Sequence, residues 1–595
     1  MTPPSAPQHA KRTPNDSVDS QEQKKKPRRG GRRGKGGNGG KDAKPSGAGA
    51  PGAPKAAKAL ETEPVDVLME DATGAKSLAH LSETTFASLA ISDKTKRAIV
   101  EELKYEFLTN VQNETIAPIL EGKDVLAKAK TGNGKTIAFL LPVIENLTRV
   151  GRVRDSIPAL VISPTRELAL QIATEARRLT SFHSLQIACF VGGSSINRDV
   201  KSLTSSTPLD ILIATPGRLL DHIGQDTGSI NKKLGNAKVL VLDEADRLLD
   251  MGFRQEIMKI LRCLPEERQT LLFSATLPAS TEELKKVALR SDYVFVDTIE
   301  EDDHQTNAQT VQEYMVCSMQ DNIAVVEHVL RQHIAARAQD YKVMVFFPTA
   351  RAAQFMAQLF TAAGFKDVLE MHSRKSQSAR TKAADAFRGG KRVMMFSSDV
   401  SARGVDYPDV SLVLQVGLTD RDQYIHRLGR TARAGSDGHG VLVLSEFEKP
   451  LLKELKDLPL QEVAVPADMD ASATDKVTAS LKRNSELEKS AQQSYQAWLG
   501  FYNSNLKRLG LQRERLVQLA ADYSSFIGLS EVPKLEKKTL KKMNLFGVAG
   551  LVPAPFEDRR PANGNGGNNP RNNGNGGGNG GGNRNNGKRP QQQRR

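Results

Sequence analysis

The sequence predicts an α/β protein built on two consecutive parallel sheets, followed by a helical extension and flanked by two basic arms that carry no core. Three observations predict it. Short β-branched or apolar runs alternate with longer helical stretches from Ser77 to Glu448, the pattern of strands joined by crossover helices. The runs fall into two sets, at 125–127, 159–162, 211–214, 239–242 and 271–273, and then at 343–347, 368–371, 393–396, 412–416 and 441–444. Charge is segregated: of the net +15 carried by 595 residues, residues 1–58 hold +10 and residues 559–595 hold +8, which leaves the body at −3.

Taken in chain order, residues 1–76 are expected to be a disordered basic arm. Positions 24–44 alternate Lys/Arg with Gly and offer no apolar side chains to offset chain entropy. The first α/β domain is expected at 77–300 and the second at 301–455, with the acidic stretch 298–303 as their junction. A helical extension is expected at 456–556, where Ser494, Trp498, Tyr502 and Leu506 recur at four-residue steps; such a stripe is core more often than it is an RNA platform. Residues 557–595 form a second disordered arm, in which 562–587 contains only Ala, Asn, Gly, Pro and Arg. Polycationic arms of this kind take phosphate backbones as partners, because each neutralised phosphate releases counterions.

Composition excludes other classes. Cys189, Cys263 and Cys317 lie too far apart in sequence for a metal knuckle or a Cys-x-x-Cys redox pair. The longest apolar stretch, 137–144, is eight residues and includes Pro142, against the roughly 20 that a membrane-spanning helix needs. A soluble protein with no membrane partner is expected.

Ala129, Lys130, Thr131, Gly132, Asn133, Gly134, Lys135 and Thr136 come after a predicted strand and open a predicted helix. Gly132 and Gly134 let backbone N–H groups turn toward phosphate oxygens, the helix N-terminus adds its positive end, Lys135 reaches the outer phosphates, and the Thr136 hydroxyl suits magnesium. A hydrolytic site needs carboxylates at a neighbouring strand end, and the run 239–242 leads straight into Asp243, Glu244, Ala245 and Asp246. Asp243 suits a magnesium-bound water, and Glu244 suits orienting and deprotonating the attacking water.

With these residues in place, residues 86–448 resemble the DEAD-box ATP-dependent RNA helicases of superfamily 2, whose four-letter signature stands at Asp243 to Asp246. Further motifs stand in family order: Pro164-Thr-Arg-Glu-Leu-Ala169, Gly192-Gly193, Thr215-Pro-Gly-Arg218, Ser274-Ala-Thr276, Val345-Phe-Phe-Pro-Thr349, Gln377-x-x-Arg380, the run from Ser398 to Asp406, and His426-Arg-Leu-Gly-Arg-Thr-Ala-Arg433. The resemblance implies two tandem RecA-like domains that bind ATP and Mg2+ in a shared cleft, with ATP and RNA closing them. It implies that Gln112 reads adenine beside a stacking aromatic, Tyr105 or its competitor Phe107, and that Asp406 joins the nucleotide set. Arg430 and Arg433 would be arginine fingers on the γ-phosphate. Ser274, Ala275 and Thr276 would couple hydrolysis to unwinding. RNA would be gripped by Pro164, Thr165, Arg166, Gly192, Gly193, Thr215, Gly217, Arg218, Thr349, Arg380, Ser398 and Asp399, mainly through sugar and phosphate and with little sequence specificity.

The wording of 497–502 and of 531–544, and Ala432 where most relatives carry glycine, is similar to the fungal branch that acts in mitochondria on group I and group II introns. That resemblance implies a monomer in the mitochondrial matrix that remodels intron RNA, with ribonucleoprotein components as further partners. The amino terminus points elsewhere: acids at Asp19 and Glu22 make a poor import signal, and the basic run 24–35 has the composition of a nuclear localisation cluster. A nuclear or nucleolar helicase is therefore the alternative, and a non-enzymatic RNA clamp the alternative of another class.

Overall fold

The computed structural model describes residues 81–151, 155–277, 281–299, 310–402, 405–432 and 438–554. Both basic arms, the junction stretch 300–309 and Arg433 lie outside the described residues.

Each lobe is wound around a seven-stranded sheet in which every described pair is parallel. In the first, the strands lie side by side in the order Ile187–Phe190, Ile211–Ala214, Ala159–Ile162, Val239–Asp243, Gln269–Ser274, Val125–Lys128 and Val294–Asp297. In the second the order is Val368–Met371, Val393–Ser397, Lys342–Phe346, Leu412–Val416, Gly438–Ser445, Thr310–Cys317 and Gln461–Glu462. All ten expected runs are strands, and central ones such as Ile211–Ala214 and Leu412–Val416 are buried along their whole length, as sheets covered on both faces require.

Two strands in each sheet are additions to the sequence expectation. Ile187–Phe190, Val294–Asp297 and Gln461–Glu462 sit at sheet edges, where half-exposed side chains interrupt the apolar run. Thr310–Cys317 alternates polar and apolar residues and so lacks the continuous pattern of its neighbours. A two-stranded antiparallel sheet, Leu81–Thr85 with Phe107–Thr109, precedes the first lobe.

The extension is helical, led by Ser485–Ser504 and Arg513–Phe526. Its Leu487, Ala491, Tyr495, Trp498, Tyr502, Leu516 and Leu519 belong to the same buried cluster as Val343, Val345, Phe347, Phe355 and Leu414 of the second lobe. The Trp/Tyr stripe is core: Trp498 stacks on Tyr523 with ring centroids 5.0 Å apart and 13° between planes, and Tyr502 is buried beside it. Leu506 falls past the end of the stripe's helix, in the short helix Leu506–Leu509.

Candidate active site and nucleic-acid interface

The phosphate loop joins the strand Val125–Lys128 to the helix Lys135–Val150. Gly134 caps that helix at φ +77°, and Gly132 has φ +88°, backbone that glycine adopts without strain. A methyl group on Gly134 would lie 2.3 Å from Gln112 Nε2, so no larger residue fits. Buried Lys135 donates from Nζ to the Ala129 carbonyl at 3.0 Å and lies 3.9 Å from Glu244 Oε1. Ala129 takes the first position of the loop because it is fully buried, and its N–H donates to the Ser274 carbonyl at 3.1 Å.

Strand Val239–Asp243 delivers the acids. Glu244 turns off its end at φ +51° and donates its backbone N–H to Asp243 Oδ1 at 3.0 Å. Burial first, and then the Glu244 carboxylate, hold the Asp243 carboxyl well above the usual carboxylate range, with Lys135 opposing. Glu175, within electrostatic reach of Asp243 and beside Thr136, is pushed up to about 7 by enclosure in this cleft. Three carboxyl groups thus crowd one lysine. The oxygen donors Thr136 and Asp243, beside carboxyl groups whose ionised form is penalised until a cation offsets it, suit a hard divalent cation that arrives with phosphates.

Gln112 lies in the first turn of the helix Asn110–Leu120, where it completes a capping box: its Oε1 accepts Thr109 N–H at 2.9 Å. Its Nε2 donates to the Gly134 carbonyl at 3.0 Å, and Thr109 Oγ1 donates to the Asn133 carbonyl at 2.8 Å. These bonds use one lone pair and one N–H of the amide and leave one of each with which to read a base edge. Tyr105 is 48% exposed, stacks on Phe86 at 6.4 Å, and feels the charges of Glu175 and Asp406. Phe107 is half-buried in the antiparallel pair.

Acid and coupling motifs meet across the lobes. Ser274 Oγ donates to Asp246 Oδ1 at 2.5 Å, Thr276 Oγ1 donates to Asp246 Oδ2 at 3.2 Å, and His426 Nε2 from the second lobe lies 3.1 Å from the same Oδ2. Ala275, between the two hydroxyls in sequence, is buried. Gly429, one residue before Arg430, touches the phosphate loop, with Thr131 Oγ1 3.5 Å from its carbonyl. Arg430 is buried and donates from Nε to the His426 carbonyl at 3.3 Å and from its terminal nitrogen to the Val405 carbonyl. Asp406 is exposed, and its backbone N–H donates to Gln171 Oε1 of the first lobe at 2.7 Å.

Several residues expected to grip RNA have their polar groups engaged within the protein. Arg218 is buried and donates from Nε to Asp199 Oδ2 at 2.8 Å, beside His222. Arg380 crosses to the first lobe and pairs with Glu167 at 2.5 Å, where Gln377 Nε2 also donates to Glu167 at 3.0 Å. Asp399 accepts from Arg427 at 2.7 and 2.9 Å. Thr165 and Thr349 cap helices, accepting N–H from Leu168 at 3.3 Å and Ala352 at 3.1 Å. Pro164, Thr215 and Ser398 are buried at strand ends. A guanidinium paired in a buried site has fewer donors to spend on phosphate. Gly217 has nothing within 4 Å of a would-be methyl and is exposed at the surface. Gly192 and Gly193 lie under the guanidinium of Arg166, whose terminal nitrogen donates across the lobes to Gln377 at 3.4 Å.

Sequence reasoning does not single out His426, Asp246, Glu167, Gln377 and Gln171 as site residues. The first four stand inside the family motifs, yet each also pairs across the lobes, with residues up to 213 positions away.

Two parallel-sheet lobes with a phosphate loop and paired acids on one and a buried basic motif from the other define a nucleoside-triphosphatase whose site is completed by closure. The DEAD/DEAH box helicase family model matches residues 109–284, and that of the helicase conserved C-terminal domain matches 323–435. The rice (Oryza sativa subsp. japonica) DEAD-box ATP-dependent RNA helicases 25 and 26 are 46% and 48% identical, over 81% and 80% of this chain and 81% and 87% of their own. Among solved structures, Mss116p bound to single-stranded RNA and AMP-PNP is similar at TM-score 0.69 and 29% identity, over 78% of this chain and 95% of that one. The chain belongs to the DEAD-box ATP-dependent RNA helicase family. It is an RNA-binding, RNA-dependent ATPase, and among the described residues no helix is long and apolar enough to cross a membrane.

Proposed function

We propose that this helicase works as an RNA chaperone that opens short duplexes and remodels structured RNA, that it does so in mitochondrial intron splicing, and that Mg2+ accompanies ATP in the cleft. The observation that carries the chemical part is the position of Asp246, which takes two hydroxyls of its own lobe and the His426 imidazole of the other. A change at the phosphates therefore reaches the lobe interface through one carboxylate. Glu244, whose carboxylate lies 3.9 Å from Lys135 Nζ, is the general base; Lys135 and Arg430 neutralise charge on the transferring phosphoryl group. Thr136, and Asp243 through water, would hold the magnesium, which would supply charge neutralisation at the phosphates. RNA is held through backbone groups near Gly192, Gly193 and Gly217, which reads shape and not sequence.

The mitochondrial assignment is supported by the wording of the extension and by the likeness to Mss116p, which spans more of the chain than the two helicase family matches do. Crosslinking bound RNA in cells and sequencing what is recovered tests substrate and compartment together. Mitochondrial intron RNA is the expected harvest, and recovery of nuclear or nucleolar precursors alone would overturn the assignment while leaving the ATPase chemistry intact.

A further inference from the structure

A second chain of hydrogen bonds crosses the lobes, separate from the Asp246 relay. The helix Arg166–Leu179 carries Gln171 and Glu175 one turn apart. Gln171 Oε1 accepts the backbone N–H of Asp406 from the second lobe at 2.7 Å, and Gln171 Nε2 donates to Glu175 Oε1 at 2.8 Å. Glu175 in turn lies beside Thr136, at the start of the phosphate-loop helix. The hydrogen-bonded path Glu175, Gln171, Asp406 thus runs from the wall of the cleft near Thr136 to the other lobe, joining residues 235 positions apart at its last step.

With a carboxylate at position 175, a carboxamide suits the middle position best. Gln171 must accept from a backbone N–H and donate to a carboxylate at the same time, and an amide of that length offers both. A carboxylate there would face Glu175, and an apolar side chain would leave both neighbours without their bond. The geometry points to Gln171, held in place by Glu175, as a positioning residue for the ATPase: it fixes the Asp406 segment of the second lobe against the first lobe's nucleotide cleft when the lobes close. The inference rests on the reading of this cleft as the ATP site and adds to it a contact that senses closure without touching the phosphates.

The full-length protein tests this through RNA-stimulated ATPase activity and ATP-dependent RNA binding. One neutral hydrogen bond supports a change of roughly three- to tenfold in the ATP concentration needed for half-maximal rate. Gln171→Met is expected to raise KM for ATP by that factor with kcat within about twofold, and to raise by the same factor the AMP-PNP needed to retain RNA. Its RNA affinity without nucleotide should match the parent protein. Gln171→Glu should be at least as impaired. Adding Glu175→Gln to Gln171→Glu restores both bonds of the middle position: the new carboxylate accepts from Asp406 N–H and from the new amide at 175. That double variant should return to within about twofold of the parent KM. An unchanged KM in Gln171→Met, or a double variant as impaired as Gln171→Glu, overturns the proposal. Lys135→Ala separates the two readings: if that variant hydrolyses ATP normally, the cleft assignment itself fails, whatever Gln171 does.

Discussion

The two lobes are the same winding put to different uses. Numbered within each lobe, the seven strands lie in one spatial order, 3-4-2-5-6-1-7, in both sheets. Even the turn after the second strand repeats, as Pro164-Thr165 in one and Pro348-Thr349 in the other, each threonine capping the next helix. The lobes differ in the turns after strands one, five and six. In the first lobe those turns carry the phosphate loop, Asp243 to Asp246, and Ser274 to Thr276. In the second they carry Met319 and Asn322, Gly417, and Ser445 and Glu448, and these line an apolar cavity of about 70 Å³ closed by Trp498, Tyr502 and Tyr523 of the extension. Ligands of open parallel sheets bind at the carboxyl ends of the strands. One cleft is left open for a nucleotide; its counterpart is filled by the protein's own helices. The carboxylate there is structural. Glu448, raised by burial, accepts from Leu418 N–H at 2.6 Å, Ser445 N–H at 2.8 Å and Tyr502 Oη at 2.5 Å, and its oxygens are spent on the fold.

The strongest way to break this contrast is to remove the acid of the open cleft. Glu244→Gln is expected to retain ATP binding while kcat falls by about 10²–10⁴, the usual worth of a positioned general base. Single-turnover hydrolysis beside nucleotide-binding titration measures both, and a variant that turns over normally would return the chemistry to another residue. The matching change in the filled cleft is Trp498→Ala, which removes a ring packed on Phe447, Tyr502 and Tyr523. It should destabilise the second lobe with its extension by about 3–5 kcal/mol, read as an early transition in urea by far-UV circular dichroism, with nucleotide affinity of the first lobe preserved. Loss of nucleotide affinity with no change in unfolding would mean that the extension serves the active cleft and not the second core.

How much of the contrast is legible in the sequence depends on the physics of each signal. The phosphate loop and the acids after 239–242 are local in sequence, and the structure sets them together as the spacing implies. Central strands declare themselves because burial on both faces leaves an unbroken apolar run, whereas Thr310–Cys317, paired with Gly438–Ser445, alternates and gives no such signal. Arg218, Arg380 and Asp399 stand out in the sequence as motif charges, but their partners Asp199, Glu167 and Arg427 leave no local pattern to read. Pairings that depend on closure leave no periodicity to read.

A smaller effect sharpens the point of contact between the lobes. A methyl group on Gly429 would lie 2.1 Å from Thr131 Oγ1, so Gly429→Ala should oppose closure. Overpacking costs about 1–3 kcal/mol, which corresponds to a fall of roughly 5- to 150-fold in RNA-stimulated ATPase at subsaturating ATP. Thr131→Ala in the same chain removes the hydroxyl and leaves a carbon 3.4 Å from the new methyl, an ordinary contact, so most of the loss should be recovered. Failure to recover would place the damage within the second lobe's own turn and not at the interface.

The smallest expected effect concerns the residue two positions beyond Arg430. Ala432 holds φ +52°, where an L side chain costs about 1–2 kcal/mol that glycine avoids. Glycine there would lose about 0.5–1 kcal/mol to the greater freedom of the unfolded chain. It would also lose the buried methyl, which is 4% exposed and sits in the space that a side chain on Gly438 would need, 2.6 Å from its position; one such group is worth about 0.8 kcal/mol. The three terms cancel, so Ala432→Gly should leave stability within about 0.5 kcal/mol of the parent in urea unfolding. A clear gain would show that the methyl packs poorly and that alanine is kept for the shape of the turn leading to Arg433; a clear loss would show that the methyl's contact with Gly438 outweighs the backbone strain.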